Sequence, residues 1–71
     1  MADGKDNARL VLRLVEERDM DGYTLMARSG LKLDELQQAV QTLLERNLLR
    51  VKGEVRGPRL AESWFQAGPS T

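Results

Sequence analysis

The sequence predicts a small α+β domain in which three helices are followed by a C-terminal β-hairpin. Three observations carry that reading. Apolar residues recur at helical spacing over residues 8–15 and again over residues 33–43. A short apolar piece between them closes on Gly30, where a left-handed glycine belongs. Residues 48–52 then read as a strand, and residues 53–58, with two Gly and one Pro, as the turn after it. At 71 residues the chain makes one domain, and a small one with little core to spare.

Composition narrows the chemistry. Charged residues are 31% and hydrophobic residues 41%, the balance of a globular domain rather than a disordered or membrane chain. No apolar run approaches membrane-spanning length and the N-terminus is polar, which points to a cytoplasmic protein. Cys and His are both absent. The usual ligands of zinc and haem are therefore missing, as is one member of each common nucleophile–base pair. The expectation is a protein that is not an enzyme and needs no cofactor and no metal. Eleven cations balance eleven carboxylates, which excludes a uniformly basic protein but not a local patch.

The elements follow in order. Residues 1–6 are polar and are expected to be a disordered tail. Asp6 or Asn7 can cap a helix over about 7–18, whose buried face is Ala8, Val11, Leu12 and Val15, with Leu14 widening it. Asp19, Met20, Asp21 and Gly22 break the pattern, and Asp-Gly is turn chemistry. Tyr23 to Ser29 makes a helix of about two turns, with Leu25 and Met26 turned inward and Tyr23 at the core's edge. The third helix has Leu33, Leu36, Val40 and Leu43 on one face. Asp34 and Glu35 stand in its first turn, where the macrodipole favours them. Lys32 occupies the cap position although its side chain accepts no hydrogen bond, and Asn47 closes the helix as a left-handed residue. Residues 59–66 carry two readings. As a helix, Pro58 would stand at N1 and Gly68 at C′. As a strand, the segment would pair with residues 48–52, which otherwise leave their backbone groups unpaired. The hairpin is the expectation taken, with a flexible tail over 67–71.

This arrangement over residues 7–66 resembles the winged helix-turn-helix domain of MarR-like and PadR-like bacterial transcriptional regulators. The residues that carry the resemblance are the run from Tyr23 to Leu31 and then Leu36, Val40, Leu43, Leu44, Asn47, Leu48 and Leu49. In the family the corresponding phrase after the third helix is Leu-Glu-x-Gly-Leu-(Leu/Val); here it reads Leu44, Glu45, Arg46, Asn47, Leu48, Leu49. Asp21, Gly22 and Tyr23 are similar to the His-Gly-Tyr that precedes the second helix in the PadR kind.

The resemblance implies duplex DNA binding and transcription regulation. The long helix, about 33–46, would lie in the major groove and the wing, about 52–59, on phosphates. Base contacts would come from Gln37, Gln38, Gln41 and Thr42, since Gln pairs bidentately with adenine. Phosphate contacts would come from Arg28, Lys32, Lys52, Arg56 and Arg59. The charge pattern divides on this point. Arg46, Arg50, Lys52, Arg56 and Arg59 outnumber Glu54 within residues 46–59, as a nucleic-acid footprint requires. Asp34, Glu35 and Glu45 make the long helix itself acidic, which opposes phosphate. The competing reading is a winged-helix module that binds protein instead of DNA, through the long helix face or the exposed aromatic of the hairpin, Trp64 or Phe65; either reading allows a homodimer. On one strand these two aromatics point to opposite faces, so one can stay exposed.

Overall fold

A computed structural model describes residues 4–69 and shows an α+β architecture of three helices and a three-stranded antiparallel sheet. The order is α1 (Gly4–Glu17), β1 (Met20–Asp21), α2 (Gly22–Ser29), α3 (Leu33–Glu45), β2 (Leu49–Lys52), a 3-10 turn (Pro58–Glu62) and β3 (Trp64–Ala67). Strand β3 lies in the middle, between β1 and β2.

Helix α1 begins three residues earlier than its caps suggest, so Gly4, Lys5 and Asp6 belong to the helix and not to a tail. The remaining residues of the expected N-terminal tail, 1–3, lie outside the described residues, as do 70–71 of the C-terminal one. Ala8, Val11 and Val15 are buried, as their spacing requires, and α1 packs chiefly against α3. On α3 the buried face is Leu36, Ala39, Val40 and Leu43. Its start is capped from one side only: the Lys32 backbone N–H donates to Glu35 Oε1 at 2.9 Å, while the Lys32 side chain has no acceptor to return. Its end is a Schellman closure. Asn47 takes φ 59°, its N–H donates to the Leu44 carbonyl at 3.0 Å, and the Leu48 N–H donates to the Leu43 carbonyl at 2.9 Å. Gly30 closes α2 with φ 76° and an N–H bond of 2.8 Å to the Met26 carbonyl.

Two expectations need correction. The Asp-Gly pair is not a turn. Asp21 sits in a strand, and Gly22 is the first residue of α2. Glycine is needed there for closeness: a Cβ would stand 2.6 Å from both the Cα and the carbonyl oxygen of Ala61. The Gly22 N–H donates to the Ser63 carbonyl at 3.0 Å, which locks the two segments together. Strand β1 escapes sequence reading because a two-residue strand has no periodicity to show.

The second correction concerns residues 59–66, where each reading holds for one half. Pro58 does open a helical turn, of 3-10 type, which buries Leu60 and Ala61. Ser63 then turns the chain extended, and Trp64–Ala67 pairs with β2 in the register Leu49↔Ala67, Val51↔Phe65 and Lys52↔Trp64. Ala67 is thus strand, not tail, and the Gly68 N–H still donates to the Leu48 carbonyl at 3.0 Å. The connection from β2 to β3 is a packed eleven-residue loop, 53–63, and not a tight hairpin turn.

Met20, Leu49 and Phe65 point inward from all three strands and join the helical core, with Leu25 and Leu60 closing it. Each such side chain, removed from water, is worth roughly 1.5–3 kcal/mol.

Candidate functional site

Helix α3 and the loop that follows β2 form one surface, because two glutamine side chains join them. Gln37 Oε1 accepts the Gly57 N–H at 2.9 Å, and Gln41 Nε2 donates to the Val55 carbonyl at 3.2 Å. These residues lie on the flank of α3, between its buried face and its solvent face, and both are half-buried. The loop is braced from its other end by Ser63, a buried residue whose hydroxyl donates to the Glu54 carbonyl. So the segment 53–57 is folded down along α3 instead of projecting from the sheet.

This redefines the expected base-contacting set. The amides of Gln37 and Gln41 are engaged within the molecule. Thr42, half-buried, donates its hydroxyl to the Gln38 carbonyl at 3.1 Å. The Gln38 side chain is the one of the four at an exposed position, with Asp34 and Glu45 exposed along the same side of α3. The solvent face of α3 therefore presents one amide between two carboxylates.

The five expected phosphate contacts are all exposed, but they do not form a single patch. Arg56 adjoins Gly57, and through it the Gln37 flank of α3; Arg59 follows in the 3-10 turn, which packs on α2 and α3. Lys32 stands at the start of α3. Arg28 instead borders a second groove, shared with Leu14, Glu17, Arg18 and Met20 below α1. Lys52 belongs to the outer face of the sheet, where it pairs with Trp64.

That outer face is well defined by the register. Trp64 is 42% exposed in the central strand, while Phe65, beside it, is fully buried and is no partner surface. Tyr23, expected at the core's edge, is 58% exposed because it follows Gly22 on the outer side of α2. Asp21 pairs with Trp64 from the opposite side to Lys52. The Asp21 carboxyl accepts the Thr24 hydroxyl, and this bond, helped by the N–H groups that start α2, holds it below its ordinary value of 3.8. Slight burial opposes the shift without cancelling it.

A groove of about 310 Å³ runs between α1 and the end of α3, floored by Ala8, Leu12 and Leu43 and edged by Arg9 and Arg46. Among the described residues no cluster of three or more acidic side chains is placed to hold a metal ion, and no helix is long and apolar enough to cross a membrane. No family model matches this chain, and no curated protein and no solved structure is found to be similar to it.

Proposed function

We propose that this chain is a winged helix-turn-helix module that binds duplex DNA as a transcriptional regulator. The observation that carries the reading is the connectivity. A helix, a strand, two helices joined by a short glycine turn and two further strands, with the last strand central in the sheet, leave one side of α3 exposed beside the loop that carries Arg56 and Arg59. In that arrangement α3 enters the major groove. Gln38 reads base edges, and Arg56, Arg59 and Lys32 lie on phosphates to either side. Gln37 and Gln41 act one step removed, fixing the loop that carries Arg56.

Titration of a generic duplex at two salt concentrations tests this. Each phosphate contact contributes about 0.9 to the slope of log K against log salt, so replacing Arg56 and Arg59 with Ala flattens the slope by about 1.8. Gln38→Ala changes the preference among duplexes and leaves the slope alone. Absence of duplex binding at low salt overturns the reading.

One observation favours a second reading, a winged-helix module that binds protein. The exposed side of α3 holds Asp34 and Glu45 and, between them, no Lys or Arg. A basic partner surface fits that face better than phosphate does. Under this reading duplex DNA at low salt leaves the α3 amide signals unmoved, while a basic peptide shifts them.

A further inference from the structure

The outer face of the sheet is divided by charge in a way that the fold's core does not require. Its side chains are set by the strand pairing. One row across the sheet is Asp21, Trp64 and Lys52; the next is Asp19, Gln66 and Arg50. Gln66 Nε2 donates to Asp19 Oδ2 at 3.0 Å, which places Asp19 beside the central strand although it precedes β1. Both rows thus run from a carboxylate through the central strand to a cation. Arg50, Lys52, Trp64 and Asp19 are exposed.

We propose that this face docks a second copy of the same chain, sheet against sheet. The argument is charge complementarity. A two-fold axis lying between two such faces and parallel to the strands exchanges their two edges. Each acidic edge then lies over the partner's basic edge in the same row, and Trp64 meets the partner's Trp64 on the axis. An axis across the strands would set like charges together, so the pattern selects one arrangement. A nucleic acid is a poorer occupant, since Asp19 and Asp21 would repel its backbone beside the only exposed indole. The inference is independent of the DNA reading, which uses α3 and the loop.

The patch is small. Three strands at about 4.8 Å spacing and four residues at about 3.4 Å give an area roughly 14 Å on a side. That is below the ~800 Å² per partner of a stable complex, so the dimer is weak and reversible.

The test uses the intact chain, followed by translational diffusion and by the Trp64 indole N–H signal from tens of micromolar to about a millimolar. Expected are slower diffusion and a moving indole signal as concentration rises, both lost in Trp64→Ala. Arg50→Glu and Asp19→Lys, each alone, set like charges across the axis and weaken association at least tenfold. Mixed in equal amounts they associate again, because every cross-pair is then of opposite sign. Circular dichroism verifies that each variant is folded. Unchanged diffusion up to a millimolar overturns the proposal. So does association that moves the signals of Ala8, Leu12 and Leu48 instead, or a mixture that fails to associate.

Discussion

Single residues carry constraints here that their types alone do not announce. Gly22 is the strongest case. Its neighbours in sequence make it look like half of a turn, yet it is the point where α2 meets the Ala61 backbone. A methyl group there would lie 2.6 Å from two backbone atoms, neither of which belongs to a movable side chain. Overpacking of this kind costs about 1–3 kcal/mol. Gly22→Ala is expected to lower the urea midpoint with an unchanged slope, whereas Gly30→Ala, whose added Cβ meets nothing, is strained only through its φ of 76°. An equal or higher midpoint for Gly22→Ala would show that the two segments separate without loss. Lys32 and Asn47 teach a related lesson. Chemistry excludes Lys32 from capping, so Glu35 takes the task from inside the helix. Asn47 reaches the left-handed region at low cost because its short polar side chain tolerates it.

At the scale of elements, what was legible in the sequence followed from periodicity, and what was not followed from its absence. Ala8, Val11, Val15, Leu36, Val40 and Leu43 could be placed because helical spacing repeats over several turns. Strand β1 could not, nor could the division of residues 58–67 into a 3-10 turn and a strand, because each piece is shorter than the pattern that would reveal it. The site was legible only in part for a different reason. Gln37 and Gln41 are polar and helical, which suits a ligand-contacting face and a loop-bracing flank equally well. Only the loop's position decides, and that depends on Gly57 and Val55 arriving from twenty and fourteen residues away in the fold's final packing. The bracing has a measurable consequence. Each amide bond is worth about 0.5–1.5 kcal/mol net. In the double variant Gln37→Ala, Gln41→Ala, the Gly57 amide is expected to exchange with solvent roughly tenfold faster or more, while amides of β2 and β3 keep their protection. Unaltered exchange at Gly57 would mean that Ser63 and the 3-10 turn hold the loop without α3.

For the whole molecule, one small core must hold together three helices, three strands and an eleven-residue loop with no disulfide to help. Leu36 lies at its centre. It is fully buried, on the helix against which α1 packs and from which the loop is suspended. A Leu→Ala change in such a place costs about 2–5 kcal/mol. A domain of this length has a total stability near the low end of about 5–15 kcal/mol. Leu36→Ala is therefore expected to keep no more than about 3 kcal/mol and to melt far below the parent, with helical circular dichroism and dispersion of the Trp64 signal lost together, because the sheet has no core of its own. The control is Gln38→Ala: two residues on in sequence it lies roughly 200° around the helix from Leu36, and loss of its exposed side chain should move stability by less than about 0.5 kcal/mol. The core-forming side of α3 and the side proposed to meet a partner are thus opposite faces of one helix. A Leu36→Ala protein that melts cooperatively near the parent's midpoint would place the core elsewhere, and with it the face of α3 that is free to meet a partner.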